Sequence, residues 1–123
     1  MVIEADKINN NKLEVKSKIW VELKGEVIFG GGRTAILEAI DECGSIRQAA
    51  TKLGMSYRAA WGKLKATEER LGIQLLDRYT GGRQNGAFLT TEAKELLNNY
   101  RQFKAEVNKE VDKLFEKYFN ELM

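Results

Sequence analysis

Between residues 45 and 72 the apolar positions recur at helical spacing twice over, with a single glycine separating the two runs. Ile46, Ala49, Ala50 and Leu53 fall at i, i+3, i+4 and i+7, which turns one narrow stripe inward and leaves Arg47, Gln48, Thr51 and Lys52 in water. Ser45 is a natural cap for that helix, and Gly54 ends it where a left-handed residue is least costly. Ser56 caps the next helix, which keeps Ala60, Leu64 and Leu71 inside. So short a turn forces a steep crossing, and the small Ala49, Ala50, Ala59 and Ala60 allow the two backbones to approach. This is the layout of a helix-turn-helix. Tyr57, Arg58, Trp61 and Lys65 then lie along the exposed face of the second helix, and with Ser45, Gln48 and Ser56 they are the side chains expected to meet base edges and phosphates in a major groove.

The flanking patterns extend this unit. Residues 1–17 are polar and Asn-rich and read as an arm, with a short strand expected at residues 13–15. Residues 19–29 alternate and break at Gly25, predicting a strand pair or a strand with a bulge. Gly30, Gly31 and Gly32 turn the chain into a helix that buries Ile36, Leu37, Ile40 and Cys43 and stops at Gly44, completing a three-helix core. After Gly72, residues 75–79 and 87–89 read as two short strands joined by a glycine-rich loop, a wing whose Thr80, Gly82 and Arg83 are placed to touch sugar-phosphate or the minor groove.

Thr90-Thr91-Glu92 opens a long helix running to about Phe119. Its apolar seam comprises Leu96, Tyr100, Phe103, Val107, Val111, Leu114, Tyr118 and Leu122, widened by Leu97, Phe115 and Phe119. A helix of that length projecting from a small domain has more apolar surface than its own core can cover, so pairing with a second copy is expected. The predicted architecture is mainly α with a small β component: an arm (1–17), a winged helix-turn-helix (18–89) and a dimerisation helix (90–123).

Charge agrees with a nucleic-acid partner. The chain carries only two more bases than acids, yet residues 45–83 hold eight Lys or Arg against three Asp or Glu. The basic charge therefore sits where double-stranded DNA would lie. The single cysteine and absence of histidine exclude an internal disulfide and leave no zinc cluster, and no apolar run approaches a membrane span. A cytoplasmic protein without cofactor or metal is expected, with Cys43 as a buried structural thiol. The glycine run invites a phosphate-loop reading, but no Gly-Lys-Ser/Thr follows at the Walker interval. Nothing else argues for catalysis, so an enzyme is not expected. The competing reading is a protein-interaction dimer built on the same winged domain.

Gly44-Ser45-Ile46, the run Gly54-Met55-Ser56-Tyr57-Arg58-Ala59-Ala60-Trp61, and Arg78-Tyr79-Thr80-Gly81-Gly82-Arg83 followed by Leu89-Thr90 together resemble the N-terminal DNA-binding domain of the ModE family. These are molybdate-responsive transcription regulators related to the winged helix-turn-helix of LysR-type regulators, and residues 64–76 are similar to the LysR-type end of the recognition helix. The resemblance covers residues 19–97. It implies DNA binding as a homodimer, with Ser56, Tyr57, Arg58 and Trp61 at the major groove and the Thr-Gly-Gly wing on the backbone. ModE proper continues into an oxyanion-binding region, whereas this sequence ends at Met123. Either it is a stand-alone DNA-binding form or a fragment of a larger regulator; the orderly long helix favours the former, and no oxyanion ligand is expected.

Overall fold

The computed structural model describes residues 13–79 and 86–119. In chain order these form β1 (Trp20–Leu23), β2 (Glu26–Gly30), α1 (Gly31–Cys43), α2 (Ile46–Lys52), α3 (Tyr57–Leu71), β3 (Leu76–Tyr79), β4 (Gly86–Leu89) and α4 (Thr91–Phe119). The arm at residues 1–12, the wing loop at residues 80–85 and Leu122 lie outside the described residues. The short strand expected at residues 13–15 does not form; among the described residues no strand pairs with that segment. Among the described residues, no helix is long and apolar enough to cross a membrane.

The described residues divide into two compact units. The first, Ile19–Arg101, holds both hairpins, α1 to α3 and the start of α4. β1 and β2 pair antiparallel through a two-residue turn in which Lys24 and Gly25 both have positive φ (52° and 82°), the geometry that matches strand twist. Val21 faces Phe29 and Glu22 faces Val27, which leaves Ile28 as an extra, unopposed residue. The alternatives read from the sequence are therefore both present, a strand pair with a bulge.

Gly31 and Gly32 belong to α1, so the glycine run is the first turn of the helix rather than a loop before it. Thr34, the next small residue, ties that turn back by donating to the Gly30 carbonyl at 2.8 Å. Ile36, Leu37 and Ile40 are fully buried, as their spacing predicts, while Cys43 is only half-buried at the helix end. Around α1 pack Ile46, Ala49 and Ala50 of α2, Ala60 and Leu64 of α3, and Leu97 and Tyr100 of α4. Two small corrections follow: Leu53 and Ala59 are exposed, since Leu53 already lies beyond the last turn of α2 and Ala59 faces away from the crossing.

The second hairpin pairs Leu76 with Leu89 through Tyr79 with Gly86. The Ala87 amide donates to the Gly44 carbonyl at 3.0 Å, and the Thr90 hydroxyl donates to the Gln74 carbonyl at 2.7 Å. The same hydroxyl accepts from the Ala93 amide at 3.1 Å, which is the N-cap of α4.

The second unit comprises residues 13–18 and α4 beyond Arg101. Ser17 donates to the Asn108 amide oxygen at 3.1 Å, and Phe115 stacks on Phe119 at 5.2 Å.

Candidate nucleic-acid interface

Local sequence builds the two helices of the motif. The Ser45 hydroxyl oxygen accepts from the Gln48 amide and the Ser56 hydroxyl oxygen from the Ala59 amide, each at 3.0 Å. Both caps stand as predicted, and Gly54 (φ 67°) makes the left-handed step between them. Ser45 and Ser56 thus each use one oxygen lone pair inside the protein; the hydroxyl proton and the second lone pair remain for a partner.

Ala60, Leu64 and Thr67 define the buried face of α3. At 100° per residue the opposite face is centred on Arg58, Gly62, Lys65 and Glu69, with Trp61 on its shoulder and Tyr57, the first residue of the helix, nearer the buried side. Tyr57 and Trp61 are each 37% exposed, so neither ring is lost to the core. Gly62 went unnoticed in the sequence reading. A glycine inside a helix destabilises it, and a Cβ there would meet nothing within 4 Å. Its small size therefore leaves the exposed face of α3 flat at the centre.

Ion pairing sorts the basic residues. Lys52 pairs with Glu42, Lys65 with Glu68 at 3.2 Å, and Arg70 with Glu26 at 2.9 Å. Lys52 holds the Glu42 carboxyl below its ordinary pKa by a hydrogen bond and by charge, and its own pKa is raised in return. Among the described residues Arg47, Arg58 and Lys63 make no ion pair. Lys65, expected at DNA, is instead shared between Glu68 and the face of the Trp61 ring, 5.7 Å away. Gln48 and Arg58 are exposed. Beside α3 lies an open groove of about 470 Å³ lined by Trp61, Leu64, Lys65, Glu68, Gln74 and Leu76.

The orientation of α3 rests on contacts that the sequence pattern does not show. Thr67 is 1% exposed; its hydroxyl donates to the Ile28 carbonyl at 3.0 Å and accepts from Arg33 Nε at 2.8 Å. Arg70 donates to the adjacent Val27 carbonyl. Burial, with the charge of Arg70 second, lowers the pKa of Arg33. Next to Thr67, the Glu68 carboxylate accepts from the Leu75 amide at 2.7 Å.

Of the expected dimer seam, Leu96 packs partly against the first unit's core and Tyr100 is 7% exposed within it. The Tyr100 hydroxyl donates to the Ile19 carbonyl at 2.9 Å and its ring meets Phe29 edge-on at 5.3 Å. Tyr100 is therefore a core residue of its own chain. Farther along α4, Val107 and Val111 are half-buried, whereas Phe103, Leu114 and Tyr118 are exposed. Thr80, Gly82 and Arg83 lie outside the described residues.

A family model described as "Bacterial regulatory helix-turn-helix protein, lysR family" matches residues 33–94, half of the chain. The chain belongs to the LysR family of bacterial regulatory helix-turn-helix proteins. This LysR-type domain is 38% identical over 81 residues to the transcriptional regulator ModE of Haemophilus influenzae, covering 65% of this chain and 32% of that protein. It is 37% identical over 93 residues to the molybdenum-pterin-binding protein MopB of Rhodobacter capsulatus, covering 75% and 34%. The chain thus spans about a third of the length of these curated relatives. Among solved structures it is similar to the DNA-binding domain of CbnR in complex with DNA, with a TM-score of 0.56, 22% identity, and coverage of 71% of this chain and 95% of that one. The winged helix-turn-helix fold and the ModE resemblance read from the residues are both upheld.

Proposed function

We propose that this LysR-type domain binds double-stranded DNA as a homodimer and acts as a transcription regulator of the ModE type, with α3 as the recognition helix. The observation that carries the reading is the exposed face of α3: a capped helix whose outer face is centred on Arg58 and flat Gly62, flanked by Arg47 and Lys63, cations without an ion pair among the described residues. CbnR, solved with DNA, supports the same use of the fold. Arg58 is the residue assigned to a base edge or phosphate, with Gln48, Ser56 and Trp61 around it. Thr80, Gly82 and Arg83 of the wing are assigned to the DNA backbone. The exposed Phe103, Leu114 and Tyr118 on outer α4 are assigned to the twofold partner, with Val107 and Val111 beside them. No oxyanion site and no catalytic role are assigned to residues 1–123.

The test is binding to a mixed-sequence duplex across a range of salt concentrations. Each neutralised phosphate contributes about −0.9 to the slope of log affinity against log salt, so Arg47, Arg58 and Lys63 on each of two chains give roughly −5. A slope near zero would overturn DNA binding.

A further inference from the structure

Arg47 enters the reading above only as one of three cations that contribute to the salt dependence, yet its surroundings differ from those of the other two. It sits in the first turn of α2, ten positions before Tyr57, the first residue of α3. The turn through Gly54 brings them together, with the Arg47 guanidinium carbon 5.0 Å from the centre of the Tyr57 ring. We propose that Arg47 and Tyr57 act as one unit across the turn, the ring holding the guanidinium in place for a DNA phosphate; the inference rests on DNA binding by this face.

Three observations carry it. First, a ring face attracts a cation but offers no hydrogen-bond acceptor, so the stacked guanidinium keeps its edge donors for a planar, bidentate grip on phosphate oxygens. Second, Arg47 makes no ion pair among the described residues, and the side chain is exposed. Its charge is thus not committed inside the protein, in contrast to Lys65, which shares its ring contact with Glu68. Third, a cation in the first turn opposes the helix dipole, and α2 has no acidic residue there to offset it. Local helix stability does not account for an arginine at this position, and departures from local rules concentrate at functional sites. Tyr57 is then a positioning residue whose ring matters and whose hydroxyl does not.

The experiment compares Arg47→Ala, Tyr57→Phe, Tyr57→Leu and the Arg47→Ala/Tyr57→Leu double variant for binding to a mixed-sequence duplex at several salt concentrations, with thermal unfolding as a check on the fold. Arg47→Ala should reduce the salt slope by about one per chain. Tyr57→Phe should leave affinity and slope unchanged. Tyr57→Leu should weaken binding about two- to five-fold when Arg47 is present, and not at all when Arg47 is already alanine. An unchanged slope in Arg47→Ala overturns the phosphate contact. A Tyr57→Leu loss that persists without Arg47, or a Tyr57→Phe loss of equal size, shows that tyrosine touches DNA itself and overturns the coupling. If the unsubstituted chain binds without salt dependence, DNA binding fails and this inference with it, a result distinct from the other two.

Discussion

Thr67→Val removes one oxygen from the buried interior of the Ile19–Arg101 unit at nearly constant volume. The hydroxyl serves two groups: it donates to the Ile28 carbonyl and accepts from Arg33 Nε. Ile28 is the extra residue of the β2 bulge, with no partner in the β1 register, and its carbonyl accepts from the Thr67 hydroxyl. Leaving one buried polar group unsatisfied costs about 1–3 kcal/mol. Ile28 is buried and takes the middle of that range; Arg33 is half-exposed and can rotate toward water, so it adds less than about 1 kcal/mol. The sum is about 2–3 kcal/mol, which for a chain of this length lowers the melting temperature by roughly 6–12 °C. Thr67→Ser, which keeps the oxygen and loses a methyl group, should cost only about 1 kcal/mol. Scanning calorimetry on both variants provides the comparison. If valine is tolerated as well as threonine, or serine proves worse than valine, the hydroxyl does not hold the hairpin to α3.

Leu114 is 54% exposed, so Leu114→Asp should leave the single chain folded while splitting a dimer paired through α4; sedimentation that still shows dimers would place the twofold contact elsewhere. Gly62→Ala should raise helix stability by about 1 kcal/mol and yet weaken DNA binding, because the added methyl sits where a groove must approach; unchanged binding would show that the centre of α3 does not touch DNA. Glu68→Ala should reduce stability by about 1–3 kcal/mol through the Leu75 amide while releasing Lys65, so the salt dependence of binding should become steeper in a weaker fold. The Glu42–Lys52 pair helps at neutral pH; since the Glu42 pKa is depressed, that help fades as pH falls through it, and the difference in melting temperature between the unsubstituted chain and Glu42→Gln should close below the ordinary carboxylate pKa of 4.5.

The helix-turn-helix was legible because everything that defines it is local. Ser45, Ser56 and Thr90 act on amides three residues ahead, and Gly54 reports a single backbone conformation. The long helix and both hairpins were legible for the same reason. Thr67 was not: its partners Arg33 and Ile28 lie 34 and 39 residues away, and a threonine in a helix gives no sign that a bulge elsewhere needs its hydroxyl. Tyr100 was misplaced because periodicity identifies an apolar face without saying which neighbour covers it; here the hydroxyl reaches Ile19, 81 residues earlier. Periodicity overcounted as well, since Leu53 continues the α2 stripe on paper although the helix has already ended at Lys52. Charge counts likewise treated all bases of residues 45–83 alike, whereas distances to Glu26, Glu42 and Glu68 separate the engaged from the available.

The hold on α3 is lopsided. Thr67 and Arg70 grip successive carbonyls of β2, and Glu68 grips the start of β3, so all three ties fall after Gly62; the leading end relies on the Ser56 cap and the packing of Ala60 and Leu64. Mechanically this is a beam clamped at one end. Amide hydrogens in the last two turns should exchange with solvent only when the whole unit opens, and those ahead of Leu64 through smaller, more frequent excursions. In the proposed complex the free end is the one that meets DNA, where it could adjust its pitch to a duplex without strain reaching the core.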